Sequence, residues 1–550
     1  MAISSFCGKG RLIIASTKRR IKRPPSSAGT GSRFITPRFT LKRSAMFTIL
    51  EKTDEVSIAN CGLPYYISGV IENRDNILVS NPQKFKSWFN IDVKLKTEVI
   101  QINKEEKYVI TNTDEQISYD YLVIATGATP IVPNFEGLNK DKTFVVRSLA
   151  DADKIKAHIK ENNIQNVAVI GGGFIGVEVA ENMIEMGLKT SLIEMNNQIL
   201  APLDTEMVQI AHKEIRSKGV DLILSDGVQK FDGNKIILTS GKKVEFDMCV
   251  LAIGVKPEIQ LAETAGLQTN RGIIVDETLK TSDAFIYAAG DNVEIKDFVS
   301  LQNTLVPLAG PANRQGRIIA DNINGVRSTY KNTQGSSVVK VFGLTVASSG
   351  NNEKQLKQKQ IPYLKTCVYS RSHAGYYPNA NAILFKLLFN QDGKILGIQG
   401  IGKSGVEKRI DVVATIMRNN GTVQDMIDAE LCYAPPYSSA KDPVNVLGMN
   451  ADNIINGLVK PAFVEDLEDA LIIDVRPPML YQQGTVQNAI NIPIMEIRQR
   501  LNEIPKDKKV VLSCSTGYTS YCASRILMQN GFDNVYSFMG GYDFYKAVKP

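Results

Sequence analysis

Asn166-Val-Ala-Val-Ile170 runs into Gly171-Gly172-Gly173-Phe174-Ile175-Gly176, and a helical stretch through Met186 then leads to a strand ending at Glu194. Strand, glycines, helix and a terminal acid about twenty residues on make a far stronger signal than glycine spacing alone. Gly171 permits the tight turn, Gly173 lets backbone approach a pyrophosphate, and Gly176 lets helix and strand pack closely. Glu194 suits a ribose 2′-hydroxyl and repels a 2′-phosphate, so the expected dinucleotide is NADH before NADPH.

Outward from this unit, short apolar strands alternate with helical stretches at 47–51, 121–125, 191–194, 248–253 and 285–288. That alternation predicts an α/β fold with parallel sheets. Residues 326–450 mix strands (337–344, 395–401) with helices and read as a separate α+β unit; 451–461 is polar and reads as a linker. The last ninety residues repeat the alternation on a smaller scale, with strands at 470–475 and 509–513.

A chain of 550 residues with 43% hydrophobic content is too long for one core, and roughly three to four domains are expected. The most apolar run, 382–389, is short and interrupted by Lys386, which argues against a membrane span. Seven cysteines without a C-x-x-C pair do not form a disulfide scaffold or zinc site, and a reducing, cytoplasmic setting fits. His158, His212 and His373 are too scattered for a metal centre, and no metal is expected. The net charge of +7 misleads: the first fifty residues hold eleven Lys or Arg and no acid, leaving 53 basic against 57 acidic residues beyond them. No folded basic face for a nucleic acid is indicated.

Three further segments carry a family resemblance. Leu122-Val-Ile-Ala-Thr126-Gly127-Ala128-Thr129-Pro130 and Ile286-Tyr-Ala-Ala-Gly290-Asp291 resemble the segments bracketing the NAD domain in two-dinucleotide-domain flavoproteins. Ser57-Ile58-Ala59-Asn60-Cys61-Gly62-Leu63-Pro64-Tyr65-Tyr66 resembles the active site of the single-cysteine branch of the pyridine nucleotide-disulfide oxidoreductases. That branch includes coenzyme A disulfide reductases, NADH-dependent persulfide reductases, NADH oxidases and NADH peroxidases. Leu431-Cys432-Tyr433-Ala434-Pro435-Pro436-Tyr437-Ser438-Ser439-Ala440-Lys441-Asp442-Pro443 resembles the dimerisation-domain signature of the coenzyme A disulfide reductases.

The resemblance implies two Rossmann-like dinucleotide-binding domains, an α+β dimerisation domain and a homodimer, with FAD and NADH as cofactors. It places Glu51, Ser57, Thr126, Gly127, Gly290, Asp291 and Ala309 around FAD, Asp291 holding the ribityl chain, and counts Gly254 among the cofactor-binding residues. Cys61, beside Asn60, becomes the redox centre. A lone cysteine has no internal disulfide, so its oxidised form is a mixed disulfide, a persulfide or a sulfenic acid, and a helix beginning near it would favour the thiolate. Tyrosines of the partner subunit are implied over that cysteine: Tyr437 first, then Tyr433 and the pair Tyr376-Tyr377. A phenol there can protonate a departing thiolate.

Residues 462–550 resemble a rhodanese domain, with Leu471-Ile-Ile-Asp474-Val475-Arg476 as a core strand and Cys514-Ser515-Thr516-Gly517-Tyr518-Thr519-Ser520 as the active loop. Successive backbone N–H groups in such a loop form an anion nest. Thr519 stands where many such domains carry Arg, which weakens the cradle for an anion. Cys522, about two helical turns on, reads as packing.

The implied segments are 46–150 and 276–325 for the FAD domain, 151–275 for the NAD domain, 326–450 for dimerisation and 462–550 for the rhodanese-like domain. Residues 1–45 depart from the pattern. They are basic, Ser-rich and acid-free, show no sustained strand or helix periodicity, and read as disordered, as an organelle-targeting segment, or as a replacement of the first FAD βα unit. Gly29-Thr30-Gly31 lies near the expected phosphate-loop position, but Pro24-Pro25 precedes it and Pro37 interrupts any following helix. The leading expectation is NADH-dependent reduction of coenzyme A disulfide, a persulfide or polysulfide, with coenzyme A as candidate substrate or bound thiol. The alternatives are an NADH oxidase or peroxidase cycling Cys61 through sulfenic acid, and a flavin-free sulfur carrier or NAD-binding protein.

Overall fold

The computed structural model describes residues 11–17 and 45–549. The chain is α/β and divides into two compact units, Met1–Gln165 with Asp247–Thr333, and Asn166–Phe246 with Gln334–Pro550.

In the first unit, Tyr121–Ala125 is an almost unbroken apolar run, as a strand covered on both faces requires; Leu122, Val123 and Ile124 are fully buried. It pairs in parallel with Ile286–Ala288, and Ala45–Glu51 pairs in parallel with Ile91–Lys94. Between these pairs lies Arg11–Thr17, which completes a five-stranded sheet.

That strand corrects the expectation that the N-terminal stretch has no regular structure. Leu12-Ile13-Ile14-Ala15 is a short apolar run rich in β-branched residues, and a slot between two strands with unpaired backbone groups favours any such run that can fill it. Its direction is the unexpected part. It runs antiparallel to both neighbours, Arg11 level with Glu51 on one side and with Ala125 on the other. The sheet keeps a central strand, but its carboxyl end points away from the edge where its neighbours end. Gly29-Thr30-Gly31 lies outside the described residues.

In the second unit, Asn166–Ile170, Lys189–Ile193 and Asp221–Ile223 pair in parallel, with the helices Phe174–Glu185 and Thr205–Ser217 between them. A five-stranded antiparallel sheet follows, in the order Ser337–Val341, Leu344–Gly350, Ile395–Gly402, Ala382–Phe389, Leu364–Arg371. The C-terminal portion is a parallel sheet centred on Val510–Ser513, with the helices Tyr518–Gln529 and Gly541–Val548.

Lys386, which interrupts the apolar run, is wholly buried in its strand. Its ammonium lies 2.9 Å from Asp204 Oδ2 and also contacts the carboxylates of Glu206 and Glu353. Glu353 is further held by Lys365 at 3.0 Å, and Lys365 reaches Glu465 at 2.7 Å. One lysine cluster thereby ties the start of the Thr205–Ser217 helix, the antiparallel sheet and the C-terminal portion. Among the described residues no helix is long and apolar enough to cross a membrane.

His212, on the Thr205–Ser217 helix, is buried and its Nε2 accepts the Ile199 N–H at 3.3 Å. Burial, with Arg216 nearby, depresses its imidazole to about 4 from an ordinary 6.5. The unfolded chain therefore takes up a proton at a pH where the folded chain does not. Stability falls as pH drops through 6.5 towards 4, by about 1.4 kcal/mol for each tenfold difference in proton affinity between the two states. In His212→Gln, whose amide oxygen also accepts that N–H, the melting temperature should lose part of its slope over this window. An unchanged slope in thermal melts would contradict it.

Candidate active site

Cys61 sits in a 3-10 turn, Asn60–Gly62, between the short strand Ser57–Ile58 and the helix Leu63–Ser68. Gly62 packs closely there: a Cβ would come within 2.8 Å of Ile77 Cδ1 and push that side chain aside. The turn is fixed by Gly62 N–H donating to Ala59 O at 2.9 Å and Ala59 N–H donating to Ile77 O at 2.8 Å. Behind it, Tyr66 OH donates to Asp153 at 2.9 Å, Arg74 Nε reaches the same carboxylate at 3.0 Å, and Lys156 Nζ donates to Tyr66 O. The Cys61 side chain is exposed. The expected helix follows the cysteine but has six residues, so its dipole makes a smaller contribution to the thiolate than a long helix would.

The other described cysteine of this unit, Cys249, is buried, and burial pushes its thiol far up. In the second unit, Cys367 is buried and its thiol is pushed up to about 12, mainly by burial. Neither is available as a nucleophile at neutral pH.

The residues expected around FAD gather at the carboxyl edge of the first unit's sheet. Glu51 ends its strand with its carboxylate accepting Thr53 N–H at 3.0 Å and Thr53 Oγ1–H at 2.7 Å. Thr126 Oγ1 donates to Glu258 O at 2.7 Å and accepts from Asn292 Nδ2 at 2.9 Å. Gly127, Gly254 and Gly290 have φ of +72°, +114° and +95°, values that side chains resist. Gly290 N–H donates to Gln315 Oε1 at 2.7 Å, within the helix Ala309–Ile323 that Ala309 opens. Asp291 lies 3.9 Å from Arg147 Nη2. Ser57 is buried in its strand.

Three observations make this edge fit a ligand of the flavin kind. A cavity of about 370 Å³ is bounded by Leu50 and Lys52, the neighbours of Glu51, and by Thr126 and Glu258. The Asn292 side-chain oxygen, adjacent to Asp291, is buried without a hydrogen-bond partner, and so is that of Asn60, adjacent to Cys61. Buried amide oxygens of this sort want a donor. Arg147, Gln315, Asn292 and Glu258 were not singled out in the sequence; Arg147, Gln315 and Glu258 are single polar residues in loops or a helix with no motif around them, and Asn292 stands just past the Gly290-Asp291 pair.

In the second unit, Gly171 has φ of +107° and donates its N–H to Ile193 O at 2.8 Å. Gly172 N–H donates to Glu194 Oε2 at 2.7 Å, and Asn196 donates to Glu194 Oε1 from its backbone and its side chain. Glu194 is thus pinned beside the glycine loop with acceptor capacity left. Gly172 itself is confined, since a Cβ would sit 2.5 Å from Ile199 Cγ2, whereas one at Gly173 would meet nothing within 4 Å. Gly173 caps the Phe174–Glu185 helix, and Gly176 is buried in its first turn. Open space above a helix N-terminus is the setting a pyrophosphate uses.

The tyrosines lie on two neighbouring loops of the same unit. Tyr376 OH and Tyr433 OH are 2.9 Å apart, Tyr377 packs edge-on against His373, and Tyr437 is 73% exposed. Cys514 is a separate site. It is 2% exposed; its sulfur accepts the Gly517 N–H at 3.2 Å and lies 3.5 Å from Ser520 Oγ. The loop is locked by Tyr542 N–H donating to Cys514 O at 2.7 Å and Asp543 N–H donating to Ser515 O at 2.9 Å. Cys522 is half-buried on the following helix.

Comparison with known proteins matches residues 36–316 to the pyridine nucleotide-disulphide oxidoreductase family, 336–443 to its dimerisation domain and 462–547 to the rhodanese-like domain. A coenzyme A disulfide reductase of Staphylococcus aureus is 36% identical over 422 residues, 75% of this chain and 95% of that protein. A protein of Methanocaldococcus jannaschii named NADH oxidase is 34% identical over 435 residues, 77% of this chain and 97% of its own length. Among solved structures, reduced Bacillus anthracis CoADR-RHD superposes with a TM-score of 0.88 at 46% identity, covering 91% of this chain and 92% of that one. The NAD-dependent persulfide reductase from A. fulgidus superposes at 0.85 with 37% identity, covering 90% and 95%.

Proposed function

The chain belongs to the pyridine nucleotide-disulphide oxidoreductases, a family of FAD- and NADH-dependent enzymes, and on that premise we propose that it uses NADH to reduce disulfide or persulfide sulfur at Cys61. The observation that carries this reading is the exposed Cys61 on its glycine-bounded turn, in a unit whose other described cysteine is buried with its thiol pushed far up. Among the described residues Cys61 forms no disulfide, and the proposed cycle takes its sulfur partner from outside the protein.

The Cys61 thiolate attacks a disulfide, joins one sulfur and expels the other as a thiolate, or it takes the outer sulfur of a persulfide. Two electrons from NADH then restore the Cys61 thiolate and release the captured thiol or sulfide. Bound FAD supplies the two-electron carrier between nicotinamide and sulfur. Glu51 would hold the adenosine ribose and Asp291, steadied by Arg147, the ribityl chain, with Ser57, Thr126, Gly127, Gly290 and Ala309 along the cofactor and Gly254 among the cofactor-binding residues. Gly171, Gly173, Gly176 and Glu194 would hold NADH. In a homodimer, Tyr437, with Tyr433 and Tyr377, is assigned to protonate the thiolate leaving the partner's cysteine. Cys514 carries sulfane sulfur, with Gly517 N–H as a neutral donor in place of the charge that Thr519 lacks.

We assign 46–150 and 276–325 to FAD, 151–275 to NADH, 326–450 to dimerisation and 462–550 to sulfur transfer. The test is NADH oxidation by the purified chain with coenzyme A disulfide, polysulfide, peroxide or oxygen as acceptor. Sulfur acceptors should turn over at least about tenfold faster than peroxide or oxygen, the factor that separates two transition states by 1.4 kcal/mol. Preference for oxygen or peroxide would replace this reading with the sulfenic-acid cycle, and no turnover with any acceptor would favour the carrier.

A further inference from the structure

The two tyrosine-bearing loops, 372–381 between the strands Leu364–Arg371 and Ala382–Phe389 and 431–442 ahead of the helix Pro443–Ile455, are distant in sequence, yet one guanidinium joins them. Arg409, on the helix Val406–Arg418, is 1% exposed. Its Nη2 donates to Ser372 O at 2.9 Å, at the start of the first loop, and to Ser438 Oγ at 3.3 Å, next to Tyr437 in the second. Nε and Nη2 grip both oxygens of Asp442 at 2.9 to 3.2 Å, and Nη1 donates to Gly405 O at 2.9 Å.

The joint is closed on itself. Ser438 Oγ donates to Asp442 Oδ2 at 2.5 Å, and Ala374 N–H donates to Ser438 O at 3.0 Å, linking the loops directly. Asp442 also caps the Pro443–Ile455 helix through Val444 N–H. Beyond this joint the loops diverge to surface tyrosines, touching again through the Tyr376 and Tyr433 hydroxyls. A planar fork with five donors can serve four acceptors in fixed directions; a lysine offers the same charge without that geometry.

The geometry points to Arg409 as the positioning residue of the tyrosine loops, acting through Ser372 O, Ser438 and Asp442 to hold the phenols where a leaving thiolate needs its proton. This role rests on the function proposed above. Arg409 touches no reacting atom, so the binding of NADH and the first electron transfer do not pass through it.

The experiment uses the full-length flavin-loaded chain and its Arg409→Gln, Arg409→Lys and Ser438→Ala variants. Three readouts are taken: amide hydrogen exchange of 372–381 and 431–442, steady-state kcat and KM with coenzyme A disulfide, and the rate at which NADH bleaches the flavin absorbance without acceptor. In Arg409→Gln both loops should lose protection together and kcat should fall on the order of a hundredfold, the cost of misplacing a reacting group by about an ångström. Flavin bleaching should stay within about twofold of the parent, as expected for a step that does not use the loops. Arg409→Lys should not restore kcat, and Ser438→Ala should lie between.

The role is overturned if Arg409→Gln or Arg409→Lys keeps parental kcat, or if flavin bleaching falls as far as turnover. Should both arginine variants fail to fold, Ser438→Ala decides: parental exchange and parental kcat overturn the role. A parent that bleaches its flavin yet reduces no sulfur acceptor sinks the proposed function instead, and the role is then judged by whether the two loops lose amide protection together.

Discussion

Replacing Cys61 by serine should lower reduction of coenzyme A disulfide or polysulfide by about three orders of magnitude or more, the scale of loss when a covalent nucleophile is removed, while NADH still bleaches the flavin. The hydroxyl has almost the same volume, and the turn that carries it depends on Gly62 and on backbone bonds to Ala59 and Ile77, none of which the substitution touches. What is lost is a sulfur that ionises far more readily than a hydroxyl and can hold a second sulfur. The loss should appear in kcat and kcat/KM together, because the cysteine acts on the bond being broken. Cys514→Ser is the control, since that thiol lies in another loop with its own lock. A Cys61→Ser chain reducing sulfur compounds at the parental rate would end the proposal; a Cys514→Ser chain alone losing activity would move the chemistry to the C-terminal site.

Substituting Lys386 by methionine should destabilise the second unit by about 3–5 kcal/mol, the range for a buried ion pair stripped of one partner. Burial works against the lysine's charge, but Glu206, Asp204 and Glu353 hold its ammonium well above the ordinary range. Burial likewise raises Glu353, yet Lys386, Tyr363 and Lys365 bring its carboxyl down to about 2. Without the lysine, Asp204 and Glu353 remain buried and charged against each other. A depressed carboxyl contributes stability above its unfolded pKa of 4.5 and loses it as pH falls towards 2. The gap between parent and variant should therefore be widest near neutral pH and narrow in acid. Thermal melts across pH check it, and adding Asp204→Asn with Glu353→Gln to Lys386→Met should recover most of the loss. Equal melting temperatures for parent and Lys386→Met at pH 7 would show that the cluster contributes nothing.

The sequence was most legible where a site is built from consecutive residues. Gly171 to Gly176 with Glu194, the turn around Cys61, the Gly290-Asp291 pair and the Cys514 loop each place their groups through local backbone geometry, so a short motif carries the whole arrangement. Contacts between distant residues were not legible. Lys386 read as a blemish in an apolar run because its three acids lie up to 182 positions away. Arg147 gave no sign of Asp291, nor Arg409 of Ser438 and Asp442. The strand Arg11–Thr17 was missed for another reason: four apolar residues inside a basic stretch carry little periodicity, and only the vacancy between two finished strands gives them a place.

The reversed sense of that strand changes what its connection has to do. Parallel neighbours demand a crossover of about a dozen residues or more, usually a helix laid over the sheet, whereas antiparallel neighbours can be joined end to end on one side. Thr17 finishes level with Ala45, the residue that opens the next strand, so these two strand ends share one rim of the sheet. Arg11, not Thr17, lies at the rim where Glu51 and Ala125 end, so the edge that faces the cavity receives the beginning of this strand and not its carboxyl end.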